Sequence, residues 1–175
     1  DIAFRNCTNL TSVTFEANSQ LTTIDGCFEG CTSLTNIKIP NSVTSIEHGT
    51  DPFNNYYWTG AFKNCTSLTS VTFEENSQLT IIDGDYLSSG AFSGCTSLIS
   101  IEIPNSVVEI GTATFYNCTS LSSIEIPNSV NKIGFSAFYN CTSLTSIEIP
   151  NSVVTIGDIA FRNCTNLTSV TFEAN

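Results

Sequence analysis

Apolar and polar positions alternate along this chain in short bursts that return at a fixed interval. In one such burst the apolar residues are Leu121, Ile124 and Ile126, with Glu125 between the last two. That alternation has the period of a half-buried β-strand. Pro127 stops the strand because it has no N–H to give to a ladder, and Asn128-Ser129 supplies turn chemistry. A second short apolar stretch, Val130 and Ile133, is broken by Gly134. Ala137-Phe138 then sends an aromatic back toward the interior, and Asn140 turns the chain into the next strand.

The same order recurs along the chain, marked by Cys7, Cys31, Cys65, Cys95, Cys118, Cys141 and Cys164. Successive spacings are 24, 34, 30, 23, 23 and 23, so the basic unit has 23 residues. A fixed period in this range signals a stacked array in which neighbours bury one another's apolar faces. So short a unit leaves little room for a long helix on the return side. The pattern predicts a single β-rich solenoid over residues 1–175: about seven coils, with parallel strands about 4.8 Å apart.

The L-x-x-I-x-I burst followed by Pro-Asn-Ser-Val, Ile-Gly and Ala-Phe-x-Asn-Cys resembles the BspA-like leucine-rich repeat of the treponemal subclass. The resemblance covers the whole chain. It implies a right-handed leucine-rich-repeat parallel β-solenoid with 23-residue coils. It also implies a surface or secreted protein of bacteria or anaerobic protists, engaged in adhesion, coaggregation or binding of host matrix proteins.

A longer periodicity lies over the short one. Residues 1–18 are identical to residues 158–175, an offset of 157 that equals the sum of the six cysteine spacings. Folding constraints alone do not explain eighteen identities that include Asp1, Arg5 and Asn9. Two readings are open: duplication of one turn, or a window from a longer array with a 157-residue super-repeat. The absence of Met and the opening on Asp1 suit a processed or excised piece.

Composition narrows the function. Apolar residues are 41% of the chain and charged residues 12%, which is enough to build a core. The net charge of −11, with 5 bases against 16 acids, excludes the clustered Lys and Arg that phosphate binding needs. Neither a nucleic acid nor an anionic membrane surface is an expected partner. No apolar run reaches the roughly 20 residues of a membrane-spanning helix.

Eight cysteines raise the question of disulfides. Equivalent positions in adjacent coils lie about 4.8 Å apart with parallel side chains, whereas bridged Cβ atoms converge to about 3.8 Å. The ladder cysteines therefore read as small buried hydrophobes, and a single file of thiols cannot surround zinc. Cys27 breaks the file where other coils carry Ala; it either fills that slot or bonds to Cys31. Neither cofactor nor metal site is expected.

Asn-x-Ser/Thr triplets begin at Asn6, Asn9, Asn64, Asn117, Asn140, Asn163 and Asn166. Those just before a ladder Cys read either as glycan acceptors or as amides capping turns and stacking on one another. Asn9 and Asn166 are the better glycosylation candidates, because Ser stands there in other coils. The outward strand column includes Lys38, Glu102, Glu125 and Glu148. It could bind a cation or a basic partner, or simply keep a solvated acidic face.

Two insertions interrupt the period, both after the second apolar stretch and so at one edge of the solenoid. Ile46 to Cys65 spans 19 positions and Ile82 to Cys95 spans 13, against 8 from Ile133 to Cys141. The longer insertion carries His48, Phe53, Tyr56, Tyr57 and the sole Trp, Trp58. Tyr86 lies in the shorter one, and Tyr116 and Tyr139 share a column with Arg5, Lys63 and Arg162. Aromatic loops on a rigid scaffold are typical contact sites, though the loops could also pack onto the coils. His48 has no nucleophile or acid partner in sequence, and Asp83 and Asp85 share a loop without an evident pocket. The expected function is a non-catalytic extracellular binding or adhesion module for a protein or glycan. The alternative is a structural filament formed by a long or end-to-end associated array.

Overall fold

A computed structural model describes residues 2–50, 58–85 and 89–174. Among these residues there is no helix, only short strands joined by turns. In chain order they are β1 (Thr23–Asp25), β2 (Asn36–Ile39), β3 (Ser45–Thr50), β4 (Trp58–Gly60), β5 (Ser70–Phe73), β6 (Ile81–Ile82) and β7 (Gly84–Asp85). There follow β8 (Ser89–Gly90), β9 (Glu109–Ile110), β10 (Lys132–Ile133), β11 (Ser146–Ile149), β12 (Thr155–Ile156) and β13 (Ser169–Phe172). The predicted parallel solenoid is what forms.

Its continuous sheet is not built from the L-x-x-I-x-I burst. The second apolar stretch forms it, in the order β1-β3-β6-β9-β10-β12, all parallel. Ile24, Ile46, Ile82, Ile110 and Ile133 point inward from it, each fully buried. In its last two steps the register advances by 23 residues, Glu109↔Lys132 and Lys132↔Thr155.

The L-x-x-I-x-I face pairs only locally. β2 pairs with β5 and β11 with β13, each over four residues, and a lone bridge joins Glu102 to Glu125. The residue that follows the strand explains where the ladders stop. In the coils carrying β5 and β13 it is Glu, and Glu74 N–H and Glu173 N–H donate to Ile39 and Ile149 of the preceding coil at 3.0 Å. The first coil also has Glu there, Glu16, whereas the remaining four place Pro40, Pro104, Pro127 or Pro150, so the preceding coil's carbonyl loses its donor. Each four-residue ladder has a Glu downstream; each proline coil keeps at most one bridge to the coil before it, among the described residues.

Between the faces lies a core of stacked columns. Phe4, Phe28, Phe62, Phe92, Phe115, Phe138 and Phe161 form one, with ring centroids 5.0–5.6 Å apart and nearly parallel planes. Such offset stacking adds to the burial of each ring. Leu34, Leu68, Leu98, Leu121 and Leu144 form a second, fully buried column. The cysteines form a third and do more than fill space. Each of the thiols of Cys31, Cys65, Cys95, Cys118, Cys141 and Cys164 donates to the carbonyl of a Phe in the aromatic column, at 3.1–3.2 Å. All eight cysteines are free thiols, Cys27 among them, half-buried in its alanine-sized slot.

The residue before each ladder Cys is left-handed, with φ between 58° and 64° at Asn6, Asn64, Asn117, Asn140 and Asn163, and Gly30 and Gly94 take the same position. Asn and Gly tolerate that conformation best. One step of the amide ladder forms, Asn140 Nδ2 donating to Asn117 Oδ1 at 2.8 Å, while Asn163, next in the column, donates to the Tyr139 hydroxyl instead.

Candidate functional site

Both insertions leave the solenoid as antiparallel hairpins. β3 runs past the three residues it pairs with β1 and the two it pairs with β6 and returns as β4, with His48↔Gly60, Gly49↔Thr59 and Thr50↔Trp58 in register. β7 and β8 pair as Gly84↔Gly90 and Asp85↔Ser89. Of the residues singled out from sequence, Phe53, Tyr56, Tyr57 and Tyr86 lie outside the described residues, and Trp58 enters through its backbone pairing.

The hairpin bases lie on neighbouring coils and touch. A Cβ placed on Gly60 would press on the backbone of Gly90, with the Gly90 carbonyl carbon only 2.8 Å away. One on Gly90 would in turn strike the Ala113–Thr114 peptide, with Thr114 N at 2.6 Å. These glycines are required for backbone approach. Asp83 is committed to the same structure: its Oδ1 accepts N–H bonds from Gly84 and from Thr112 on the next coil, both 2.7 Å. The carboxylate is thus a clasp for the second hairpin, a role that proximity to Asp85 in sequence does not suggest.

Three residues beyond each hairpin base runs a polar column. Glu29 receives Arg5 Nε at 3.0 Å from one neighbouring coil and Lys63 Nζ at 3.8 Å from the other. Lys63 also donates to Ser89 Oγ in the second hairpin at 2.9 Å. Further along, Tyr116 and Tyr139 stack with centroids 4.9 Å apart and planes 6° apart, and Asn163 Nδ2 donates to the Tyr139 hydroxyl at 3.1 Å. The edge therefore combines two hairpins, a chain of ion pairs and an aromatic pair. His48 is half-buried at the base of the first hairpin. No cluster of His, Cys, Asp and Glu suited to a metal occurs among the described residues.

The strand face offers a second surface. Lys38, Glu102, Glu125 and Glu148 are all exposed, and Lys38 lies beside Thr72 rather than beside an acid. Shallow clefts open where ladders are missing. One of about 770 Å³ lies between residues 123–129 and 146–150, bordered by Glu125, Glu148 and Glu173. Another of about 650 Å³ separates residues 71–77 from 102–106. Asn9 and Asn166 occupy exposed turns.

Burial pushes the ladder thiols up: Cys65, pressed also by neighbouring Cys31, reaches about 12, and Cys95 and Cys118 rise well above the usual 9.0. They are therefore protonated donors at neutral pH, with little nucleophilic thiolate.

Comparison with known proteins agrees with this architecture. A family model described as the BspA type leucine rich repeat region matches in 6 copies over residues 58–89 and 85–175. Similar solved structures include the leucine-rich repeat protein of T. pallidum, 33% identical with a TM-score of 0.62 over 77% of this chain. A leucine-rich repeat protein of Eubacterium ventriosum is 26% identical with a TM-score of 0.67 over 91% of the chain. The pneumococcal vaccine antigen PcpA is 28% identical with a TM-score of 0.62 over 80%. The chain spans 57%, 38% and 31% of those proteins, respectively. A search of curated proteins finds no match. With the repeat motif in every coil, the parallel solenoid formed and the family model matched across most of the chain, this protein belongs to the BspA type leucine-rich repeat family.

Proposed function

We propose that the chain is a non-catalytic binding module displayed at a cell surface, where it presents its hairpin-bearing edge to a protein or glycan. The observation that carries this reading is the pairing of two hairpins on adjacent coils, held by glycine contacts and the Asp83 clasp beside the Tyr116–Tyr139 stack. A solenoid that places its two longest insertions on one edge has built that edge for display. Stacked coils fix the hairpins, so little ordering entropy remains to be lost on contact. Family membership and likeness to a vaccine antigen support surface display.

The test is Trp58→Ala in the 175-residue chain, assayed on immobilised matrix proteins and on a glycan array. Trp58 belongs to the first hairpin, and its loss is expected to lower binding by at least about tenfold, as for an aromatic hot spot. The melting curve is expected to stay nearly unchanged. Unaltered binding would refute the assignment, and a collapsed melting curve would show that Trp58 packs into the core instead.

A further inference from the structure

At one step inside the stack two coils stay apart on the strand side. The step joins the coil carrying β5 to the one after it, and residues 71–77 and 102–106 border the cleft of about 650 Å³ between them. That volume falls within the roughly 300–1,000 Å³ of small-ligand sites. On the sheet side the same coils are joined, Val108 N–H donating to Thr80 O and Gly111 N–H to Ile82 O, both at 2.8 Å. One wall is also braced from behind. Glu74 Oε2 accepts the Asn41 N–H at 3.1 Å, and Gln78 N–H donates to Asn41 O at 3.0 Å. The opening is therefore held by the stack on both sides.

A hydroxyl is left over at this step. In the equivalent Pro-Asn-Ser turns the Ser hydroxyl donates to a carbonyl of the coil before: Ser42 to Leu21 O, Ser129 to Val107 O and Ser152 to Val130 O, at 2.6–2.7 Å. Ser106 holds the same place in Pro104-Asn105-Ser106, yet its Oγ is shielded from solvent and has no hydrogen-bond partner. A shielded polar group without a partner carries its full desolvation cost, which a ligand group bonding to it recovers. The larger cleft, bordered by Glu125 and Glu148, lies at a step where Ser152 does make its bond.

Phe73 and Pro104 give the 650 Å³ cleft apolar surface, and Glu75, Asn76, Glu102 and Asn105 surround it with carboxylates and amides. Among the described residues that line it there is no Lys, Arg or His. Nothing in the lining balances an anion, which disfavours sialylated, uronic or sulfated sugars. A peptide added as a strand would meet Pro104, which has no N–H to give it. A neutral sugar ring meets each feature. Its C–H face packs on the electron-rich face of an aromatic ring, and its hydroxyls both donate and accept.

We propose that this cleft binds a neutral pyranose, one residue of a glycan, seated on Phe73 and Pro104 with a sugar hydroxyl bonded to Ser106 Oγ. The carboxylates and amides around the rim take the remaining hydroxyls. The site is separate from the hairpin edge and independent of what that edge binds.

The test is a saturation-transfer NMR titration of the 175-residue chain with the methyl glycosides of glucose, galactose, mannose and N-acetylglucosamine. At least one is expected to bind. Ser106→Ala is expected to weaken that binding by about three- to tenfold, the worth of one hydrogen bond. Its melting temperature is expected to hold or rise, because an unsatisfied hydroxyl has been removed. Asn105→Ala, at an exposed position, is expected to weaken binding too. Glu148→Gln in the other cleft and Trp58→Ala in the hairpin are expected to leave it unchanged. Failure of all four glycosides to bind overturns the proposal, as does binding that Ser106→Ala leaves intact. Loss of binding in Trp58→Ala would put the sugar on the hairpin edge and overturn this site. Tighter binding of methyl glucuronide or of an oligolysine peptide than of the neutral glycosides would overturn the neutral pyranose.

Discussion

The two long faces of this solenoid run the length of the same stack and carry comparable apolar residues, yet one is a continuous sheet and the other is broken. The sheet face lays β1, β3, β6, β9, β10 and β12 side by side without a gap. The opposite face holds two separate ladders and one bridge among the described residues. Hydrophobicity does not separate them, since Ile37, Ile101 and Ile147 are as deeply buried as most residues on the sheet side. Backbone donors do. Pro occurs on the broken face of four coils and is absent from the sheet strands, so one face can continue its ladder and the other cannot. Burial thus decides which residues face inward, and the supply of N–H groups decides whether neighbouring coils are stitched together.

That contrast makes the sheet face the more cooperative, and core truncations sharpen it most. Ile133→Ala, at a fully buried position on β10, is expected to cost about 2–5 kcal/mol in denaturant unfolding. Ile124→Ala, half-buried at the 770 Å³ cleft, is expected to cost clearly less, because the site is already partly solvated. Equal costs would show that the broken face is as tightly packed as the sheet.

Removing a donor from a complete ladder comes next. Glu74 supplies two bonds to the preceding coil: its N–H to Ile39 O at 3.0 Å, and its carboxylate to the Asn41 N–H at 3.1 Å. Glu74→Pro deletes both and is expected to cost about 1–3 kcal/mol, the penalty for leaving a carbonyl without its partner. Glu74→Ala keeps the N–H and is expected to cost about half as much or less. If the two variants melt alike, the carboxylate holds the coils together and the proline explanation fails.

Much of this fold is legible in the sequence. The 23-residue period, the inward Leu, Ile, Phe and Cys columns and the edge from which both insertions emerge all follow from spacing. What spacing does not show lies in relations between coils. Pro127 ends its own strand, as its chemistry implies, but its cost falls on the carbonyl of the coil before it, a partner 23 or more residues away. The Val130–Ile133 stretch offers only two paired residues per coil, too few to show an alternating pattern, so its role as the main sheet is hidden. The cysteine thiols look like hydrophobes in composition, and only stacking reveals the Phe carbonyl each one meets. The hairpins read as loops because Gly49, Gly60, Gly84 and Gly90 argue locally for turns; the need for close backbone contact arises between coils.

The smallest effect is also the most direct test of the comparison. Pro127→Ala returns an N–H at the position where Glu74 and Glu173 complete their ladders, opposite the carbonyl of Ile103 in the coil before. One regained hydrogen bond is worth about 0.5–1.5 kcal/mol. Loss of proline's restriction on the unfolded chain takes back about 0.4–1 kcal/mol. The melting temperature is therefore expected to move little, and hydrogen exchange is the informative readout. If donors limit the broken face, amides in residues 124–127 exchange more slowly in Pro127→Ala, and the lone Glu102–Glu125 bridge grows into a ladder. Unchanged exchange would locate the break elsewhere, in the repulsion of Glu102, Glu125 and Glu148 along their column. Glu125→Gln would then be the substitution that slows it.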